Sequence, residues 1–295
     1  MKVQVKDLIR VYKLGDVEVQ ALRGLNLDVE VGEIISIIGP SGSGKTTLLN
    51  IVGGLDRATA GLVQVGDITV TSLENSHLID FRRKNVGHIF QNLNLIPTLT
   101  AAENIELPMI AVGTSRGLRH KRVDELLNTV GMVDRSNHKP DELSGGEQQR
   151  VAIAAALAND APVLLADEPT GELDTATAKV IVDYLLIANR ELGKTIIMVT
   201  HDSSVARAAH RILKIEDGSI KAALTPAQVT EDETALSYVD QLRARINDIT
   251  EQLANLDKDF RAAKIDGDEY TSKRQSLKQT KAGLEEELHR MGVVT

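Results

Sequence analysis

The sequence predicts an α/β protein: a parallel sheet with helices on its faces, followed by a separate helical extension. Three observations carry that prediction. The apolar runs Ile34 to Ile38, Val163 to Ala166 and Thr195 to Thr200 have strand length, and each leads into a helical pattern. Such β-then-α alternation favours parallel pairing, because the crossover helix covers the sheet. A glycine-rich turn sits between the first of these strands and its helix. A heptad-type apolar seam begins only after Leu224, where the composition changes.

Taken in order, Val3-Gln4-Val5 and Val17-Glu18-Val19 alternate as strands do, and Val63 to Val70 reads as strand, turn and strand. From about Ser72 to Asn159 the pattern is mostly helical, punctuated by Pro97 and Pro140. The strand at Val163 precedes a helix over Thr175 to Leu192, stopped by Gly193, and the strand at Thr195 precedes a short helix opening near Asp202. Ile212 to Ile215 and Ile220 to Ala223 flank Asp217-Gly218, a favoured hairpin turn. These elements define a first domain over residues 1–224. Residues 225–236 contain Pro226 and the acidic run Glu231-Asp232-Glu233, and read as a linker. Residues 237–295 read as helical. Leu242, Ile246, Ile249, Leu253, Leu256 and Phe260 form one stripe. After a break at Ile265-Asp266-Gly267-Asp268, Tyr270, Leu277, Leu284, Leu288 and Met291 form another. An antiparallel helical hairpin is the preferred reading; a dimeric coiled coil and a solvated tail are its rivals.

Composition narrows the function classes. The chain has 295 residues, 42% hydrophobic but only 2% aromatic, so it can bury a sizeable, aliphatic core. A net charge of −8 gives no general electrostatic case for nucleic-acid binding. The absence of cysteine excludes disulfides and thiolate metal sites. Met1 to Asp7 lacks an apolar signal core, and the apolar runs are too short to span a bilayer, so work at a membrane calls for spans supplied by another chain.

The glycine-rich turn is Gly39-Pro40-Ser41-Gly42-Ser43-Gly44-Lys45-Thr46, continued by Thr47, a full match to the phosphate-binding loop pattern GxxxxGK[ST] between a strand and a helix. Glycines let successive backbone N–H groups face one concavity, and the helix N-terminus adds partial positive charge. Lys45 can reach β- and γ-phosphates, and the Thr46 hydroxyl can ligate Mg²⁺. The chain is therefore expected to bind a nucleoside triphosphate with Mg²⁺. The strand Val163 to Ala166 ends in Asp167-Glu168: the first can hold Mg²⁺ through water, and the second can polarise an attacking water. Leu143-Ser144-Gly145-Gly146-Glu147 opens an alanine-rich helix. Ser144 and Glu147 suit a capping box, and Gly145 and Gly146 leave room for a phosphate to approach the backbone.

With these motifs in this order the chain resembles the ATP-binding-cassette (ABC) ATPases, whose signature is LSGGQ; Glu147 stands where the motif often has Gln. The resemblance covers roughly residues 1–224 and implies a P-loop NTPase ABC cassette with a parallel sheet core, an antiparallel β subdomain and a helical subdomain. It implies roles for four further residues. His201, in Val199-Thr200-His201-Asp202, matches the switch histidine at the γ-phosphate. Gln91, in His88-Ile89-Phe90-Gln91, matches the glutamine that senses Mg²⁺ and water. Tyr12 falls where an aromatic stacks on adenine. Asp174, in Gly171-Glu172-Leu173-Asp174, matches the D-loop at the opposite subunit, and equally suits an N-cap. The resemblance also implies a head-to-tail homodimer, with each ATP held between Lys45 of one copy and Ser144-Gly145-Gly146 of the other.

Leu165 to Asp174, Gly53-Gly54-Leu55-Asp56, Phe90 to Pro97 and Leu99 to Ile105 are similar to one branch: the ATPases of lipoprotein-releasing systems, macrolide-type exporters and the cell-division pair controlling wall hydrolases. That branch implies an integral membrane permease in a separate chain and a place on the cytoplasmic face of the membrane. Export or extraction is one implied function; a mechanotransmission ATPase that moves no cargo is the alternative. DNA-repair cassettes carry a long coiled coil between loop and signature, and translation cassettes are usually paired in one chain. The compact Gly39–Ser144 segment and single cassette here match neither, so no nucleic-acid partner is expected.

Overall fold

The computed structural model describes residues 1–15, 17–171, 173–229, 231–261 and 266–290. Glu172 of the D-loop text, Ile265 and Met291 lie outside the described residues. The chain divides into two compact units, Met1–Glu231 and Asp232–Thr295.

The first unit carries two sheets. The central one is built from β3 (Ile34–Ile38), β6 (Val86–Ile89), β7 (Val163–Asp167), β8 (Thr195–Val199), β9 (Arg211–Glu216) and β10 (Ser219–Leu224), in the order β10-β9-β3-β8-β7-β6. The strands pair in parallel from β9 through β6, and the β9–β10 hairpin adds the antiparallel edge. These strands are near-continuous apolar runs because both faces are covered. Ile34, Ile38, Leu164, Ala166, Ile196, Met198 and Ile212 enter one core with residues of α3 (Ala101–Ala111), α5 (Gly145–Leu157) and α6 (Thr175–Leu192). The alternating partners Ile35, Ile37, Val163, Leu165, Ile197, Val199 and Leu213 enter the other. There they meet α1 (Lys45–Val52) and the antiparallel sheet β2-β1-β4-β5, formed by β1 (Val3–Leu14), β2 (Val17–Val29), β4 (Ala60–Val65) and β5 (Ile68–Thr69). Leu164 and Leu165 are both fully buried, one in each core, so truncating either to alanine costs about 2–5 kcal/mol. The first unit is completed by α2 (Asn75–Asn85), α4 (Arg116–Thr129) and the short α7 (Ser203–Ala206).

Three sequence expectations need correction. β1 and β2 run 12 and 13 residues, far beyond the short alternations at Val3 and Val17. Register shifts between Val5 and Leu8, Leu8 and Ile9, and Arg10 and Val11 break the period-2 pattern without ending the ladder. The stretch expected to be mostly helical contains β6. A Cβ at its Gly87 would clash with Ala156 O, so glycine is required for α5 to pack closely. The linker expected over 225–236 is largely structured. Pro226–Gln228 forms a 3-10 turn, Val229 is buried in the core, and α8 (Glu231–Arg261) starts inside the acidic run. Acidic residues suit a helix's first turn as well as a linker.

In the second unit, α8 and α9 (Gly267–Arg290) pack as a hairpin. Leu242 and Ile246 meet Leu288 and Leu284 at the open end, and Phe260 stacks on Tyr270 at 4.1 Å near the turn. Descending on one helix and ascending on the other, these pairs make the hairpin antiparallel. Among the described residues no helix is long and apolar enough to cross a membrane.

Candidate functional site

The glycine-rich loop leaves the buried strand β3 and enters α1 at Lys45. Gly44 holds φ 100°, and a Cβ there would lie 2.5 Å from Ala21 O, so backbone geometry and contact with β2 both demand glycine. Gly39, Ser43 and Lys45 are buried, Thr47 is half-buried, and Ser41, Gly42 and Thr46 are exposed on the rim. Lys45 Nζ donates to the carbonyl oxygens of Gly39 and Pro40, both at 2.8 Å. Burial pushes the Lys45 ammonium below its usual pKa, partly opposed by the carboxylates of Glu168 and Asp167. A buried cation beside a helix N-terminus is electrostatically incomplete, and an anion would complete it.

Strand β7 brings the carboxylates to this loop. Thr46 Oγ1 donates to Asp167 Oδ1 at 3.3 Å. Burial raises the Asp167 pKa, although the Thr46 hydrogen bond works the other way. A hydroxyl and a desolvated carboxylate are hard oxygen donors that suit Mg²⁺, and a dication would relieve the cost of keeping Asp167 ionised. At Glu168 the backbone turns to φ 47°, and its N–H donates to Val199 O at 2.9 Å. A non-glycine residue there carries strain of about 1–3 kcal/mol. The kink leaves the Glu168 side chain 6% exposed beside His201, which follows β8. The His201 backbone N–H donates to Glu168 Oε2 at 3.2 Å. Its Nδ1 lies 2.9 Å from that oxygen, close enough for an ion pair but not aligned as a hydrogen bond.

Gln91 is exposed past the end of β6 and makes no side-chain hydrogen bond to Thr46 or Asp167. Tyr12 is half-buried on β1 and held by two residues that sequence reasoning missed. Its hydroxyl donates to Asp56 Oδ2 at 2.6 Å, and the Arg10 guanidinium lies 4.3 Å from its ring centroid. Arg10 also makes a bidentate pair with Asp56, at 3.0 and 2.8 Å. One ring face is thereby covered by a cation, so a base would stack on the other. The only sequence signal was that Arg10 stands two residues from Tyr12 on one strand; Asp56 lies 44 residues away.

The loop before α5 is built differently. Ser144 accepts from Glu147 N–H at 3.3 Å, and Glu147 Oε2 accepts from Ser144 N–H at 2.8 Å. That capping box holds the Glu147 pKa low. Ser144 and Gly145 are exposed. A Cβ at Gly145 would make only an ordinary contact with Leu173 Cδ2 at 3.8 Å, but one at Gly146 would clash with Thr177 Cγ2, so Gly146 is needed for packing as well as for backbone access. Thr177 is fixed because Asp174, the N-cap of α6, accepts from its hydroxyl at 2.6 Å and from its backbone N–H at 3.1 Å. Those bonds lower the Asp174 pKa. The structure thus brings together Lys45, Thr46, Asp167, Glu168 and His201, and separately Ser144, Gly146 and Asp174 through Thr177.

Comparison with known proteins shows the family. A family model described as ABC transporter matches residues 22–171. The chain belongs to the ABC transporter ATP-binding family. An uncharacterized ABC transporter ATP-binding protein of Methanocaldococcus jannaschii, MJ0796, is 48% identical over 223 residues, covering 74% of this chain and 95% of that protein. A macrolide export ATP-binding/permease protein MacB of Hyphomonas neptunium is 45% identical over 218 residues, which are 74% of this chain but 34% of that longer protein. Among solved structures, a dimeric post-hydrolysis state of the MJ0796 cassette bound to ADP and Pi superposes with a TM-score of 0.71 at 45% identity, covering 76% of this chain and 98% of that one. These relatives agree with the lipoprotein-release and macrolide-export branch of ABC cassettes, a family of ATPases.

Proposed function

We propose that this ABC cassette is the ATP-hydrolysing subunit of a membrane complex whose spans lie in a separate permease chain. In this reading Gly39 to Thr47 cradle the triphosphate, and Lys45 exchanges its loop carbonyls for phosphate oxygens. Thr46 and Asp167 hold Mg²⁺, which supplies charge neutralisation at the phosphates, and Gln91 moves in beside them. Glu168 accepts a hydrogen bond from the attacking water, and His201 keeps that carboxylate oriented. Ser144, Gly145 and Gly146 of a second copy close over the γ-phosphate, with Asp174 at the seam. ATP binding closes the dimer, and hydrolysis opens it.

The observation that supports this best is the cluster of ionisable side chains Lys45–Asp167–Glu168–His201, buried or half-buried beside a helix N-terminus. For the permease, the supporting feature is an apolar groove of about 450 Å³ between β6, α3 and α5. It is walled by Leu95, Leu107 and Phe90, the last next in sequence to Gln91, so a permease segment seated there would press on the nucleotide site. The MacB relative, whose name joins ATPase and permease in one protein, supports such pairing. Export or extraction is the proposed work, on the cytoplasmic face of the membrane. The test is a pull-down from native membranes with tagged Glu168→Gln protein and ATP. Recovery of a permease of few spans supports the reading. Recovery of soluble proteins or nucleic acid alone rejects it.

A further inference from the structure

Beyond the nucleotide site, the first unit carries a second cavity of about 600 Å³ between the C-terminus of α2, the end of α3 and the face of α4. Four of its lining residues are basic, Arg83, Lys84, Lys121 and Arg122, in a chain whose net charge is −8. Both acids in the lining are already answered: Glu125 pairs with Arg122 at 3.4 Å, and Asp160 pairs with Lys194 at 2.6 Å. Arg83, Lys84 and Lys121 are exposed and form neither an ion pair nor a side-chain hydrogen bond among the described residues. Three cations therefore converge on one concavity without counter-charge.

Exposed aliphatic side chains stand in and next to the lining: Leu118, which lines the cavity, is 64% exposed, and Ile110, adjacent in sequence on α3 to the lining residue Met109, is 49% exposed. The cavity also borders the groove assigned above to the permease, since Arg83 and Asn159 line both. Uncompensated cations set among exposed aliphatic side chains match the boundary of an anionic bilayer, where phosphates meet acyl chains. A soluble acidic protein would answer the charge but leave Leu118 and Ile110 unexplained.

We propose that this basic cavity binds the phosphate headgroup of an anionic phospholipid, so that the cassette touches the membrane directly beside its permease. The cations take the headgroup oxygens, and Leu118 and Ile110 enter the interfacial layer. Because net charge repels the whole chain from such a surface, contact is confined to this patch and weakens with salt. The contact rests on the reading of the chain as membrane-docked, but it needs no permease.

Sedimentation of the full chain with permease-free vesicles tests it. Vesicles of phosphatidylcholine with phosphatidylglycerol should carry the protein down at low salt, and vesicles of phosphatidylcholine alone should not. The triple variant Arg83→Ala/Lys84→Ala/Lys121→Ala should partition on the order of 100-fold less into the anionic vesicles while keeping the parent chain's circular dichroism and melting temperature. Leu118→Ser should weaken partitioning several-fold at constant charge. Equal sedimentation with both vesicle types, or no loss in the triple variant, overturns the proposal. Displacement by millimolar inorganic phosphate also overturns it and assigns the cavity to a free anion. A permease recovered from native membranes without vesicle binding removes only the lipid contact. Failure of both removes the membrane reading itself.

Discussion

The loop before α1 and the loop before α5 are both glycine-rich helix N-termini, yet the fold finishes only one of them. Around Lys45 the chain supplies walls and charges from β3, β7 and β8: a buried ammonium, a half-buried carboxylate on Thr46, and Glu168 tucked against His201. Around Ser144 the cap is the helix's own: the serine side chain and backbone N–H bond to Glu147, whose carboxylate also pairs with the exposed Arg135 at 3.3 Å. In the function proposed above, the first loop is a binding site within one molecule. The second is a rigid exposed edge, its shape fixed by Asp174 holding Thr177 against Gly146. Two similar peptide geometries thus differ in what they suit: the buried one can bind for itself, and the exposed one, on the proposed reading, offers a surface to another copy.

The sharpest way to break this contrast is at the buried loop. Lys45→Ala should lower ATP affinity by at least about 100-fold, since a charge-assisted contact to phosphate is lost from a desolvated site. Titration with a fluorescent ATP analogue reads this, and a retained submicromolar affinity contradicts it. At the exposed loop the expectation reverses: Ser144→Arg should leave monomer affinity within about threefold while abolishing ATP-driven dimerisation. A variant that still dimerised with ATP would remove Ser144 from the interface.

Acid should separate the halves by a smaller amount. His88 on β6 stacks on Phe90 at 5.0 Å, and burial, aided by Arg82, pushes its pKa down from 6.5 to about 4. A lowered histidine pKa means the unfolded chain binds the extra proton more readily. His88 therefore contributes stability that is fully present above pH 6.5 and is lost as pH falls toward about 4, on the order of 3 kcal/mol in all. The caps at Glu147 and Asp174 have lowered carboxyl values, so their contribution is full above the ordinary carboxylate range and is lost as the pH falls through that range to the lowered values. Urea melts across pH 4.5 to 6.5 should show stability falling with acid, and His88→Gln should flatten that slope. An unchanged slope would mean that another group carries it.

The smallest effect concerns Tyr12. Asp56→Asn weakens the shared acceptor for Arg10 and the Tyr12 hydroxyl, and should raise the KM for ATP about three- to tenfold with little change in kcat. Binding of inorganic tripolyphosphate should not change. An equal loss for both ligands would place Asp56 in general stability rather than in orienting the ring.

How far the sequence revealed this design depends on the range of the cause. The phosphate loop, β7 and the helix Thr175–Leu192 were legible because local patterning determines them: a glycine spacing, an apolar run, and an Asp cap with a Gly stop. β6 was not, because Gly87 is dictated by Ala156 from another element, and a strand only four residues long shows little period. In the candidate site, the residue types around the phosphates could be read from motifs. The Asp56–Arg10 clamp on Tyr12, the Thr177 contact behind Gly146 and the basic cavity at Arg83 and Lys121 could not, since each joins residues far apart in the chain. The helical hairpin was legible as two stripes, whereas its start inside an acidic run was not, because acids suit linkers and helix N-termini alike.

The central claim, that the exposed Ser144 loop completes the Lys45 site of a second copy, is tested most directly by the solution mass of Glu168→Gln. Light scattering behind size exclusion should show a monomer without nucleotide and a dimer with ATP and Mg²⁺, with turnover at least about 100-fold below the parent chain. A monomer at saturating ATP, or a dimer indifferent to ATP, would contradict the shared site. Brisk turnover by the variant would remove Glu168 from its place beside the attacking water.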